Sequence, residues 1–215
     1  MAELTAYSGM AALLVPDLPG ADVDVITAYL HRAGRKFCED SEVFRQEPER
    51  VLSVGTDRYT LALTGAQVRR IIRVRFLDPS VDDAKNYSDG RDIIPDNYYL
   101  DEANQDLVLN TRAAVQDHEN GYTLVVEAAY VPHTGSDVLP DSFLTRWADA
   151  IRYCAMFELT GMVKRPWSDP ASEKKFMVLY YDAVARARFE ETHEHKKVNK
   201  TMRAPSFTTS SRSWL

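Results

Sequence analysis

An α+β fold is predicted: a three-helix body, an inserted small antiparallel β region and an extended C-terminal tail. Three observations predict it. Apolar residues recur every three or four positions near both ends of the chain, they alternate every second position in the middle, and the stretch from Lys196 to Leu215 holds bases but no acids. Four segments follow: residues 1–49, an N-terminal arm and first helix; 50–132, the β region with an acidic loop; 133–195, the helical pair completing the body; and 196–215, a basic extended tail.

The first helix is predicted from Asp22 to Glu39. Pro19 and Gly20 break the chain before it, and Asp22 or Asp24 can accept the orphan amide hydrogens of its first turn. Ile26, Leu30, Ala33 and Phe37 form one stripe at spacings of four, three and four. Gly34 lowers local helix propensity but permits a close approach by a neighbouring element.

From Val51 the period changes to two. Tyr59, Leu61 and Leu63 share a face, and Thr64-Gly65 offers a turn. In the next strand Val68, Ile72, Val74 and Phe76 face one way, interrupted only by Arg70. Arg69, Arg73 and Arg75 face the other way with Ile71. That second face reads either as solvated or as an arginine ladder against an acidic partner, the Asp-rich loop included. The segment from Asp78 to Asp106 carries nine carboxylates against Lys85 and Arg91, with turn signals at Asp89-Gly90 and before Pro95. Leu107 and Leu109 restart a strand. After Asn120-Gly121, a hairpin turn signal, Tyr122, Leu124, Val126, Ala128 and Tyr130 finish a region of four or five strands.

A second helix is predicted to begin near Pro140 and end at Gly161, with Phe143, Trp147, Ile151, Ala155 and Leu159 toward the core. The third opens on Asp169 as cap and Pro170 in the first turn, and packs through Phe176, Tyr180, Ala183 and Ala187. Trp167 is expected to clamp the loop between them. Pro205 and the Ser/Thr-rich finish do not extend a helix, and Trp214 reads either as a docking anchor on a neighbour or as part of a loose end.

Composition bounds the function. The chain of 215 residues is 45% hydrophobic, enough for a core, and its net charge of -6 argues against a general nucleic-acid coat protein. Cys38 and Cys154 lie in apolar helical patterns and read as core, with a bridge or a reactive role as the alternatives. The N-terminus lacks the basic start of a signal peptide, and no apolar run approaches the ~18 residues of a membrane span. No membrane partner is expected.

No nucleophile elbow, phosphate loop or dinucleotide fingerprint occurs. His193-Glu194-His195 spaces its imidazoles two apart, which sends them to different sides of a helix. Asp82, Asp83, Asp89 and Asp92 could offer hard oxygen ligands, yet Lys85 stands where the first ligand of a calcium loop would be. No catalytic, cofactor or metal site is predicted. The acidic loop reads as a flexible surface, an intersubunit contact or an ion site.

Three segments carry a resemblance. They are AYLHRAGRKFCEDSEVF around Phe37-Cys38; Asn97-Tyr98-Tyr99-Leu100 leading to the strand at Leu107; and the stretch from Leu139 to Glu190 that contains Pro166-Trp167-Ser168-Asp169-Pro170. In this order and spacing, across more than 150 residues, the chain resembles the head-to-tail adaptor (connector) proteins of tailed bacteriophages. The resemblance implies a helical body with a β insertion, no catalytic residues, and a ring of neighbouring copies (twelve-fold in that family) beneath the portal protein. It implies a tail or stopper protein as a further partner, transient nonspecific contact with double-stranded DNA in the channel, assembly in the bacterial host cytoplasm and residence at the head-tail junction of the virion. Met202-Arg203-Ala204-Pro205 resembles the family's basic ending, while the longer Ser/Thr-rich finish departs from it.

Candidate intersubunit or portal contacts are therefore Arg69, Arg73 and Arg75; Asp82, Asp83 and Asp89; and Lys196, Lys197, Lys200, Arg203 and Trp214. Two other functions compete: a nucleic-acid-binding module using the arginine strand and basic tail, and a metal-dependent hydrolase using the acidic loop.

Overall fold

Helix α2 (Val23–Ser41) begins at the expected cap, where the Asp22 carboxylate accepts a hydrogen bond from the Asp24 amide at 3.0 Å. Its stripe of Ile26, Leu30, Ala33 and Phe37 is buried throughout. Glu42, in the left-handed region at φ 56°, ends the helix by donating its amide to the Cys38 carbonyl. The computed structural model describes residues 6–77, 91–110, 115–136 and 139–197.

The N-terminal arm contains an unexpected helix, α1 (Ala6–Leu14). Tyr7, Met10, Ala11 and Leu14 follow helical spacing and are buried. Tyr7 also explains Gly34. A Cβ at Gly34 would lie 2.5 Å from the Tyr7 hydroxyl, so the bare backbone of α2 is what admits α1.

Eight strands form two antiparallel sheets among the described residues, more than the four or five expected. In the larger sheet, β8 (Thr123–Pro132) is central. On one side it pairs with β1 (Arg45–Gln46) and β2 (Glu49–Val51), and on the other with β4 (Ala66–Leu77), which in turn pairs with β5 (Arg91–Asp92). The smaller sheet runs β3 (Arg58–Thr60), β7 (Asp106–Leu109), β6 (Tyr98–Asp101). The second half of the acidic segment is thus a hairpin rather than an interruption. Turns occur at Thr64-Gly65 and Asn120-Gly121 as expected, with φ of 82° at Gly65 and 86° at Gly121.

Strand β4 departs from simple alternation. Its register against β8 shifts between Val68 and Arg70 and again between Ile71 and Arg73. Each shift inserts one residue and reverses which face the following side chains occupy. Val68, Ile71, Val74 and Phe76 consequently pack on the core, whereas Ile72 lies outside the core cluster. The expected places of Ile72 on the core face and Ile71 on the other are reversed by these two bulges, which also move Arg70 off the apolar face.

The predicted second helix is divided. Helix α3 (Asp141–Arg146) and helix α4 (Ala148–Thr160) meet at Trp147, whose φ of -111° and ψ of 17° lie outside helical geometry. Trp147 is nevertheless core, with its ring centroid 5.4 Å from that of Phe37. Helix α5 (Pro170–Lys197) opens as expected on Asp169, whose carboxylate accepts from the Ala171 amide at 3.0 Å and from the Ser172 hydroxyl at 2.6 Å. It continues through Lys197, so Lys196 and Lys197 are helical rather than the start of an extended tail.

Helices from both ends of the chain close on each other: α2 packs against α1, α4 and α5, and against the face of β8. One hydrophobic cluster joins them to both sheets. Within it the Tyr180 hydroxyl of α5 donates to the Asp40 carboxylate at 2.6 Å, and Arg188 reaches the Asp40 carbonyl, fastening α5 to the end of α2. Burial raises the pKa of both cysteine thiols, Cys154 to about 12, and both cysteines are free. This agrees with a packing role.

Candidate functional site

Side chains opposite one another in an antiparallel register share a face. Arg45 and Arg70 lie opposite Ala129, Arg73 opposite Glu127 and Arg75 opposite Val125, so four guanidinium groups rise from the face of the large sheet turned away from the core. Asp92 lies opposite Arg75 on β5 and joins that face.

The face is extensively paired within the chain. Arg73 makes a two-pronged contact with Asp92, Nε to Oδ1 at 3.0 Å and Nη2 to Oδ2 at 2.7 Å. The Asp92 hydrogen bonds raise the Arg73 pKa, with further support from Glu127 and Glu47. Arg70 reaches Glu42 at 3.2 Å, and Arg75 approaches Glu47 at 3.9 Å. Arg45 contacts Glu127 at 2.8 Å and Glu191 of α5 at 3.5 Å, tying the sheet to the last helix. Exposed pairs such as Arg73 with Asp92 add about 0.2–1 kcal/mol each. Their larger consequence is local charge neutralisation.

Of the expected contact residues, Arg69 is exposed at the first bulge and Arg73 is exposed but committed to Asp92. Arg75 is buried, which corrects its expected place on an open ladder. Of the two readings of that face, solvated or a ladder against acids, Arg73 shows a part of each: it is exposed and it is paired with Asp92 of the acidic segment. Asp82, Asp83, Asp89, Lys200, Arg203 and Trp214 lie outside the described residues. Lys196 and Lys197 are the last two residues of α5. The structure brings Arg73 and Arg75 onto one face and separates Arg69 from them by a bulge.

Three further features were not anticipated. The first is the set of acidic partners Glu42, Glu47 and Glu127 together with Arg45; no motif marks them, because the contacts span distant parts of the chain. The second is a surface groove of about 680 Å³ along the outer side of α2. Asp24, Thr27, His31 and Arg35 line it, and the Arg35 guanidinium donates to the Thr134 hydroxyl at 3.1 Å. The His31 ring lies 4.1 Å from the Tyr7 ring, and Arg32 is held by Glu158 at 3.1 Å. The third is an apolar line of Val178, Tyr181, Ala185 and Phe189 along the exposed side of α5.

The smaller sheet has its own ion pair, Arg58 with Asp101 at 2.9 Å. Hydrogen bonds from Asn104 and then Arg58 hold the Asp101 carboxyl below its ordinary pKa. No group of three potential metal-ligating side chains converges among the described residues, and no described helix is long and apolar enough to cross a membrane. No protein-family model matches the sequence, and no curated protein matches it either.

Proposed function

We propose that the chain is a structural head-to-tail adaptor: copies form a ring below a phage portal, extend the DNA channel and present a platform for tail attachment. One observation carries the reading. Of the three resembling segments, the first and third form α2 and the α3–α5 series, which pack together as a helical body, and the second forms β6 and leads into β7 in the β region inserted between them in the chain. An adaptor of this kind performs no covalent chemistry. Its work is to present surfaces of fixed register, which an extensively packed core supports.

The charge distribution supports the same reading. Arg73 is already paired and Arg75 is buried, leaving this strand a poor phosphate-binding surface. A net charge of -6 suits a conduit that releases DNA rather than holding it. The burial of Arg75 and the pairing of Arg73 weigh against the part of the nucleic-acid alternative that rests on this strand.

Electron microscopy of the chain mixed with purified portal complexes tests the proposal. The expected result is annular density at the portal exit. Bare portals in the presence of excess chain would overturn it. In the same assay, deleting residues 198–215 is expected to reduce capture without moving the thermal midpoint, because the described core lies before them. Equal capture would remove the tail from the contact.

A further inference from the structure

Helix α5 has two apolar sides. At about 100° per residue, Phe176, Tyr180, Ala183 and Ala187 lie on one side, and these pack on the core. Lys174, Val178, Tyr181, Ala185 and Phe189 lie on the opposite side and are exposed. Val178 is 55% accessible, Tyr181 54% and Phe189 62%. A surface helix normally opposes its apolar stripe with a polar one, and a line of large apolar groups on the outer face marks a contact surface.

The chain carries a second exposed apolar region with the opposite charge. Where α1 turns into α2, Leu13 is 61% accessible and Val23 48%, and Val15 is also exposed. The acids in this stretch are Asp17, Asp22 and Asp24, all exposed, and from Ala6 to His31 there is no lysine or arginine. Between residues 174 and 189 the exposed charges beside the α5 line are Lys174, Lys175, Arg186 and Arg188, against the exposed acid Asp182. Arg188 is bonded to the Asp40 carbonyl, and Glu190 just beyond is paired with Arg146.

We infer that the outer face of α5 docks on the α1–α2 corner of a second copy of this chain. Two unlike faces with apolar centres and opposite charges fit a heterologous contact, in which every copy offers one face and receives the other. An α5-to-α5 contact would instead set two lysine-bearing lines against each other. The inference deepens the adaptor reading by naming the surfaces that join neighbouring copies, and it rests on that reading only for closure of the ring.

Oxidative trapping tests it. Cys38 and Cys154 are buried, so introduced surface thiols report the contact. Val23→Cys and Tyr181→Cys chains, mixed at high concentration, are expected to form a mixed disulfide dimer, while neither variant forms one alone. Adding Val178→Asp to the Tyr181→Cys chain should lower trapping at least about tenfold, with an unchanged circular-dichroism melt showing that the fold persists. Self-trapping of Tyr181→Cys would overturn the inference in favour of an isologous α5 contact, and absence of any mixed dimer would overturn it outright. Protection of α5 by portal alone, without trapping between copies, would assign the face to the portal. Annular density with no mixed dimer would remove this inference and leave the adaptor reading standing, whereas trapping with bare portals would do the reverse.

Discussion

Ile71 and Ile72 have the same side chain one residue apart, and the paired bulges of β4 turn only Ile71 toward the core. Ile71→Ala is expected to cost about 2 kcal/mol and Ile72→Ala under about 1 kcal/mol. Chemical denaturation of the two variants checks this, and equal losses would contradict the bulged register. Strict alternation placed Ile72 inside because a period of two cannot register an inserted residue. Arg70 was the legible sign: a guanidinium in an otherwise apolar face requires either a buried partner or a break in parity. Arg75 was less legible, since alternation assigns a face but not how deeply that face is covered.

Among the elements, α2 and the start of α5 were readable because each has a local cause, the Asp22 and Asp169 caps and a four-three-four apolar stripe. Helix α1 was not read, although Tyr7, Met10, Ala11 and Leu14 carry the pattern, because it has no charged face to set the pattern off. The break at Trp147 has no Gly or Pro, so the apolar period runs straight through it. Gly34 was read correctly as a point of close approach, and it supplies a paired test with Gly9. Gly34→Ala gains about 1 kcal/mol of helix propensity but meets the buried Tyr7 hydroxyl, an overpacking cost of about 1–3 kcal/mol, so net destabilisation is expected. Gly9→Ala has open space and should stabilise by up to about 1 kcal/mol. Thermal melts of both check the opposite signs, and stabilisation by Gly34→Ala would mean that Tyr7 yields freely.

At the scale of the molecule, the two sheets and the helices share one core, and Tyr130 is one of its ties. Its buried hydroxyl donates to the Leu61 carbonyl at 2.8 Å, and desolvation pushes its pKa from the ordinary 10 up to about 12. The folded state therefore favours the neutral phenol. That contribution is complete below about pH 10 and is lost as pH rises toward 12. Tyr130→Phe should be less stable than the parent near pH 8, and the gap should narrow through the alkaline range. A constant gap would show that this phenol does not carry the effect. The candidate surface was legible only as composition: an arginine strand and an acidic segment. The pairing of Arg73 with Asp92 needed the sheet register, and the outer line of α5 was passed over because its inner face already satisfied the helical pattern.

The closure of α2 on α4 also bears on the order in which the molecule assembles. Phe37 meets Trp147 across about 110 residues of chain, a loop whose closure costs on the order of 4 kcal/mol before the contact returns anything. Strands β4 and β8 are separated by tens of residues as well, so few of the central contacts are local. During synthesis α2 would wait with its stripe of Ile26, Leu30 and Phe37 only partly covered, by α1 and then β8, until α4 left the ribosome. The β region then acts as a splint, drawing the two ends of the helical body together and shortening the effective loop. Folding is for that reason expected to be late and cooperative, with α2 among the last elements to find its full set of neighbours.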